Sequence, residues 1–391
     1  MVAIRSIETA VPAPVVVQSE LRDVLAGTGV FGRLGRRLVT AAFDASAIDT
    51  RHTVLDELVP SAENPHPAYL EPAERAPGTG ARNDVYVASA GPLAVDAAAR
   101  ALGSEGARDL DPGDVTHVIT ASCTGFSAPG VDLAVVRGLG LSPSTQRYHL
   151  GFLGCYAAFP ALRMAEQFCR ADPSAVVLVV CVELCSLHLH VEDDPDTIVA
   201  ASVFADGAAA AVVTARLAPE GTPVLDLDAF RSTVITEGAD EMAWTIGDHG
   251  FDMVLSSYVP RIIGQSVGEF VQPLLGSTRP VDVDAWAIHP GGRSILDRVQ
   301  TALELSDEQL APSRGVLREF GNMSSATVLF ILRRILHDAP GPGVTRHVAA
   351  LAFGPGLTVE SARLTLRREK APASPSHRPS AHRRPVPHPA A

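Results

Sequence analysis

The segment Gly151-Phe152-Leu153-Gly154-Cys155-Tyr156-Ala157-Ala158 limits the possible fold more than any other stretch. It sets a cysteine where a short extended run, 147–150, turns into a helix. Gly151 and Gly154 permit the torsions and close approaches of a sharp turn. Ala157, Leu162, Ala165 and Phe168 then recur at helical spacing among good helix formers. Cys155 is therefore expected at or near a helix N-terminus. There the unpaired N–H groups and the helix dipole favour a thiolate, the nucleophilic form. A buried structural cysteine is the plain alternative.

Around this elbow, strands and helices alternate, as in a layered α/β fold. Apolar, β-branched runs predict strands over 2–7, 115–122, 175–182 and 208–214. Helical spacing predicts helices over 18–26, 86–102 and 131–139, the second ended by Gly103. The second half restarts with an extended run over 223–235 and short strands around the Gly247-Asp248-His249-Gly250 turn. A helix over 258–275, a strand over 285–288 and helices over 294–305 and 327–336 follow, with one more helix ending at Phe320. Strands over 348–353 and 357–366 close the pattern. The two halves repeat a similar order, which suits an ancient duplication. Residues 27–83 read as mixed, with 59–83 a surface excursion rich in Pro, Gly and Ala. Residues 367–391, with six prolines and no apolar periodicity, read as a disordered tail.

The net charge is −12, and 367–391 hold six Lys/Arg against one acid, which leaves −17 on 1–366. An acidic body argues against nucleic acid as the main partner. A local basic mouth can still steer an anionic substrate. Five cysteines at irregular spacings do not read as a disulfide framework, and no Cys/His cluster suggests a metal site. The N-terminus lacks a signal-peptide apolar region, and no apolar run reaches about 18 residues. A soluble, cytoplasmic protein without a membrane span is the expectation.

Three segments share a design, with a polar residue beside glycine at the end of an apolar element. They are Gly154-Cys155, Ile288-His289-Pro290-Gly291-Gly292 and Gly321-Asn322-Met323-Ser324. Together they offer a nucleophile, a base or cation, and an amide donor. A thiolate beside imidazolium is one way to a reactive cysteine at neutral pH. An amide and an imidazole N–H can stabilise an oxyanion or enolate. Taken singly, His289 reads equally as a strand-end histidine bonded to backbone, and Asn322 as a helix cap.

In this order and spacing the segments resemble the type III polyketide synthases, the chalcone synthase family of the thiolase fold. The resemblance is carried by Gly151 to Ala158, by Trp286-Ala287-Ile288-His289-Pro290-Gly291-Gly292, by Gly321-Asn322-Met323-Ser324-Ser325-Ala326-Thr327, and by Phe353-Gly354-Pro355-Gly356-Leu357-Thr358-Val359-Glu360. It extends to about Leu366. It implies a duplicated, five-layered α-β-α-β-α fold, with 1–222 carrying the cysteine and 223–366 the histidine and asparagine.

By this resemblance Cys155 takes up an acyl group from an acyl-CoA starter, and His289 holds its thiolate as an ion pair. His289 and Asn322 bind the thioester oxygen of malonyl-CoA as it loses carbon dioxide. The resulting enolate attacks the Cys155 thioester in a Claisen condensation, and the cycle repeats before cyclisation. Decarboxylation yields the carbanion equivalent without a strong base, so the site needs neutral or cationic donors. No cofactor beyond the coenzyme A thioester substrates is implied, and no metal. A homodimer is implied, with the loop around Ala128 near the partner's cavity.

Phe204 and Phe251 match the family's gatekeepers between coenzyme A tunnel and cavity, although both also read as plain core aromatics. Ser324, Gly354 and Pro355 match positions that border the cavity. Cys123, Ala128, Cys185 and His188 occupy lining positions where plant members tend to have threonine, methionine, threonine and threonine. A small Ala128 with Cys185 is similar to bacterial members that open an extra tunnel for a long acyl chain, worth about 0.8 kcal/mol per buried methylene. The expectation is a medium or long fatty acyl starter and a resorcinol, resorcylic acid or alkylpyrone product. Cys123 with Cys185 also resembles the malonyl-CoA-primed tetrahydroxynaphthalene synthases. The basic residues that hold coenzyme A phosphates in plant relatives lack a clear match; Arg51 is the expected contact, with Arg33, Arg36 and Arg37 as neighbours. This leaves open whether an acyl carrier protein donates the starter.

The rivals are an initiating ketoacyl-carrier-protein synthase, a biosynthetic thiolase, a cysteine protease and an inactive acyl-binding scaffold subunit. Pro290-Gly291-Gly292 after His289 disfavours the first, and the absence of any cysteine beyond Cys185 the second. The flanking motifs disfavour the protease. The intact Cys155, His289 and Asn322 disfavour the scaffold.

Overall fold

The computed structural model describes residues 1–59, 67–72, 74–256 and 258–369. In chain order its elements are β1 (Ala3–Ala10), β2 (Val15–Val17), α1 (Gln18–Gly27), α2 (Arg33–Ala45), β3 (Thr50–His52), α3 (Thr79–Gly103), β4 (His117–Ser122), α4 (Val131–Gly138), β5 (Gln146–Gly151) and α5 (Ala158–Ala171). Then come β6 (Val176–Leu184), α6 (Pro195–Val203), β7 (Asp206–Thr214), β8 (Pro223–Val234), β9 (Met242–Gly247), β10 (Gly250–Leu255) and α7 (Val259–Leu275). The chain closes with β11 (Ala285–Ile288), α8 (Arg293–Leu303), α9 (Asp307–Phe320), α10 (Thr327–His337), β12 (Arg346–Gly354) and β13 (Thr358–Arg368).

Nine strands join in the order β11-β12-β13-β8-β1-β7-β6-β4-β5. Four strands of each half match in this order, and β5 is an added edge strand parallel to β4. In the first, β4 runs parallel to β6, and β6–β7 and β7–β1 are antiparallel. In the second, β11 runs parallel to β12, and β12–β13 and β13–β8 are antiparallel. The two half-sheets join where Ala3 and Ile4 of β1 pair with Asp226 and Leu225 of β8.

The period-two alternation of each strand sorts its side chains between layers. β6 sends Val177, Val179 and Cys181 into a central core with α5 and α10. It sends Val176, Leu178, Val180 and Val182 into an outer core with α3 and α4. β12 likewise sends Val348, Ala350 and Ala352 to the central core, and Ala349, Leu351 and Phe353 to a third core with α7, α8 and α9. Helix, sheet, helix, sheet, helix is the five-layered thiolase-like arrangement expected from the sequence. Each valine or leucine fully buried this way contributes about 1.5–3 kcal/mol, and each alanine less.

Some expectations need correction. Residues 27–83 are not merely mixed: α2 buries Gly35, Val39 and Phe43, and α3 begins at Thr79. The tail does not begin at 367, because β13 carries Arg367 and Arg368 along Val224 and Pro223, and Arg367 bonds Asp226 at 2.6 Å. Residues 370–391 and, within 59–83, residues 60–66 and 73 lie outside the described residues. Among the described residues no helix is long and apolar enough to cross a membrane.

Candidate active site

Three chain reversals supply the side chains of one cavity of about 280 Å³. Cys155 sits in the single helical turn Gly154–Tyr156 that precedes α5. Gly154 has φ +72°, and a Cβ there would lie 2.8 Å from Pro355 Cδ, so only glycine fits this elbow. His289 follows β11 and donates its backbone N–H to the Leu351 carbonyl at 2.8 Å. Asn322 follows α9 through Gly321, whose φ is +70°. The Asn322 backbone then donates to Val203 at 2.8 Å and accepts from Ala205 at 2.9 Å, pinning Phe204 beside it. Cys155, His289 and Asn322 all line the cavity, as do Phe204, Phe251 and Ser324.

The Ser324 N–H donates to Asn322 Oδ1 at 2.9 Å, which leaves the amide NH2 as the free donor half of that side chain. Ser324 itself has φ +45°, a backbone state that costs a non-glycine residue roughly 1–2 kcal/mol. Burial pushes the Cys155 thiol up to about 11, opposed by side-chain hydrogen bonds from Ser324 and Asn322. Burial alone pushes His289 down to about 3, and neither ring nitrogen finds a partner among the described residues. The expected thiolate–imidazolium pair is therefore not the form this pocket favours by itself. Desolvation holds thiol and imidazole neutral.

Glu183 went unread in the sequence. It ends the apolar run of β6, is fully buried, and sits behind the cysteine wall of the site. Its Oε2 accepts from the Cys123 backbone at 2.9 Å and from Thr124 Oγ1 at 3.0 Å, and Oε1 accepts from Ser325 Oγ. Burial pushes its carboxyl up to about 7. An isolated acid within an uninterrupted apolar strand was the available signal.

Cys123, Cys185, His188 and Pro355 line the cavity, as the sequence led us to expect. Phe251 is stacked between His188 at 3.8 Å and Trp244 at 4.9 Å between ring centroids. Trp244 and His190 were not foreseen as lining residues. Ala128 is exposed on the loop after β4 and does not line this chain's own cavity, which leaves its expected place near a partner's cavity untested. Two expectations fail on geometry. Gly354 instead packs under Tyr156, whose ring would lie 2.6 Å from a Cβ there. Arg51 lines the cavity but is no open phosphate contact: it is buried and donates to the carbonyls of Ala201 at 2.8 Å and Phe204 at 2.6 Å, bracing the turn that presents Phe204. Arg33, Arg36 and Arg37 are exposed on α2. Among the described residues no group of three or more His, Cys, Asp or Glu is placed to hold a metal ion.

A half-buried cysteine at a strand-to-helix elbow, sharing a cavity with histidine and asparagine from the matching half of a duplicated fold, describes a condensing enzyme. Family models agree: the chalcone and stilbene synthase N-terminal domain matches residues 1–216, and the C-terminal domain matches 226–367. The chain belongs to this family and is a type III polyketide synthase, an acyltransferase.

Alpha-pyrone synthesis polyketide synthase-like Pks18 of Mycobacterium tuberculosis is 35% identical over 364 residues, covering 91% of this chain and 89% of the relative. Bisdemethoxycurcumin synthase of Oryza sativa subsp. japonica is 34% identical over 308 residues, covering 76% and 75%. Among solved structures, the C-terminal type III polyketide synthase domain of Steely1 from Dictyostelium is similar with a TM-score of 0.85 at 29% identity, over 95% of this chain and 99% of that one.

Proposed function

We propose that the protein extends an acyl-CoA starter by repeated decarboxylative condensation with malonyl-CoA and then cyclises the product, an alkylpyrone first among the candidates. The observation that carries this reading is the convergence of Cys155, His289 and Asn322 on one cavity. Cys155 on the 1–222 half forms the thioester, and His289 and Asn322 on the 223–366 half serve the thioester oxygen. Loading transfers the acyl group from coenzyme A to Sγ, and the thiol proton leaves with the coenzyme A thiol by way of the neutral His289 ring. Malonyl-CoA then binds with its thioester oxygen facing the Asn322 amide and His289. Loss of carbon dioxide leaves an enolate at that oxygen, where the two donors act on the charge as it develops.

A fatty acyl starter fits the apolar wall that Val16, Leu21, Leu58, Ala200 and Ala201 add to the cavity. The printed function of the mycobacterial relative, alpha-pyrone synthesis, points the same way. Within one chain Ala128 is exposed and opens no tunnel from the cavity. In a homodimer the same loop faces the partner, and exposed Phe126 and Phe152 beside it supply apolar surface for such a contact. The exposed Arg33, Arg36 and Arg37 replace Arg51 as candidates for the coenzyme A phosphates.

The test is mass spectrometry of products from malonyl-CoA with a panel of short and long acyl-CoAs, with the subunit mass measured in solution. Cyclised products carrying the long alkyl chain are expected. Products from malonyl-CoA alone would favour the tetrahydroxynaphthalene route, and a single uncyclised condensation the ketoacyl-carrier-protein rival.

A further inference from the structure

Helix α6 ends just before Phe204, and the way it ends ties Asn322 to Arg51. A helix leaves its last carbonyls without backbone partners of its own. Phe204 N–H still closes on the Ala200 carbonyl at 3.2 Å. One more residue of helix would take Ala205 N–H to the Ala201 carbonyl. Ala205 donates instead to the Asn322 carbonyl at 2.9 Å, and Arg51 Nη1 takes the freed Ala201 carbonyl at 2.8 Å. The other open carbonyls are met in the same small space. Gln18 Nε2 donates to Ser202 at 2.8 Å, Asn322 N–H to Val203 at 2.8 Å, and Arg51 Nη1 again to Phe204 at 2.6 Å. The helix dipole also favours a cation at this end.

Arg51 meets the asparagine segment from a second side. Its stem lies against Gly321: a Cβ on that glycine would sit 3.0 Å from Arg51 Cγ, Arg51 Cδ and the Val203 carbonyl oxygen alike. Strand β3, which carries Arg51, is fixed to the end of α9 that leads into Gly321. There Asp49 N–H donates to the Arg318 carbonyl at 2.7 Å, and Thr50 Oγ1 to the Glu319 carbonyl at 2.9 Å. The guanidinium stays charged at neutral pH. Burial lowers it only to about 10, and the neighbouring Asp206 opposes that fall. Asp206 is itself fixed by Val54 N–H and by the N–H and hydroxyl of Ser186. Arg51 is thus a fixed cation of the first half, set between the end of α6 and the Gly321-Asn322 turn of the second.

The work of the Asn322 amide comes after loading. Cys155 takes the acyl group first, and the amide then has to meet the thioester oxygen of malonyl-CoA within hydrogen-bond reach. A misplacement of about 1 Å in such a contact can cost about 10²-fold in rate. Resting on the polyketide reading above, we propose that Arg51 is a positioning residue for chain extension: by closing the end of α6 onto the Gly321-Asn322 turn, it sets the Asn322 amide in register with Cys155 across the two halves of the fold. Arg51 acts through Asn322, so extension depends on it strongly and loading of Cys155 only weakly.

The test compares full-length wild type with Arg51→Met, Arg51→Lys, Asn322→Ala and the double variant Arg51→Met with Asn322→Ala. Methionine keeps a stem against Gly321 and removes the charge and the donors, whereas lysine keeps the charge with a shorter reach. Loading is read as the mass of the Cys155 thioester formed from one long acyl-CoA. Extension is read as the single-turnover rate at which malonyl-CoA consumes that thioester. In Arg51→Met, extension should fall about 30–100-fold and loading less than about threefold, and Arg51→Lys should bring the loss in extension back to about tenfold. In the Asn322→Ala background the methionine change should cost less than about threefold more, because the group it acts through is already gone. Equal losses in loading and extension, or an unchanged extension rate, overturn the proposal. So do losses that multiply in the double variant, which would make Arg51 a support of the fold alone. If Arg51→Met does not fold, Arg51→Lys takes its place in the same double-variant comparison, and failure of both to fold overturns the proposal. A wild-type enzyme that forms no condensed product refutes the polyketide reading itself, whatever the variants do.

Discussion

Replacing Glu183 by glutamine should change how stability depends on pH. The wild-type carboxyl rises from an ordinary 4.5 to about 7, chiefly because it is buried. Between those values the folded protein keeps a proton that the unfolded chain has released. Stability from this group is therefore complete below the lower value and is lost as pH rises through the upper one. The rise corresponds to a loss of ~3 kcal/mol by pH 8. Glutamine has no proton to lose. Its oxygen can still accept from Cys123 N–H and Thr124 Oγ1, and the Ser325 hydroxyl can turn to accept from its NH2. Thermal midpoints of wild type and Glu183→Gln, measured at matched scan rates at pH 5 and pH 8, give the difference directly. At roughly 1–2 °C per kcal/mol for a chain this long, the variant should gain roughly 3–6 °C on wild type between the two pH values. Other titrating groups cancel in this comparison. A gap that stays constant with pH would refute the account of a buried, proton-holding Glu183. The same substitution should lower the pH at which Cys155 becomes alkylatable, since the carboxylate is among the causes that raise its thiol.

Cys155→Ala should retain the fold and yield no extended product by mass spectrometry, because no thioester can form; full product from this variant would remove its assigned role. Asn322→Ala should slow malonyl-CoA decarboxylation by about 10²–10³-fold, the usual cost of an oxyanion donor, while starter loading falls far less; equal losses in both steps would count against it. Gly154→Ala should lose about 2–4 kcal/mol of stability, from left-handed strain and the clash with Pro355, read as a lowered thermal midpoint.

The fold was legible wherever apolar periodicity and length agreed. β6 and β7 are fully buried runs, and their valines and alanines announce a strand covered on both faces. Helix α2 escaped because Gly35 breaks its apolar stripe, and its arginines make the segment look like a solvated loop. The glycine is in fact where Asp193 approaches closely. Helix α6 escaped although Asp194 caps it and Pro195 starts it, a signal the alternating pattern overshadowed. At the site, Cys155, His289 and Asn322 could be found because glycine-rich reversals are local. The role of Arg51 could not be, since its partners Ala201 and Phe204 lie some 150 residues away and nothing near position 51 encodes them. Ala128 is exposed in the single chain, and whether such a loop residue faces its own cavity or a neighbouring chain depends on how the loop leaves β4, which side-chain identity does not fix.

The two tryptophans of this chain are placed unequally. Trp286 is wholly enclosed in the third core, while Trp244 lies flat against Phe251 at the cavity wall. Near-ultraviolet emission from the enclosed indole gives a steady background. The wall indole sits where any acyl chain threading past the phenylalanine must disturb its surroundings. Occupancy can thus be followed optically in the unlabelled enzyme, and Trp244→Phe supplies the dark control.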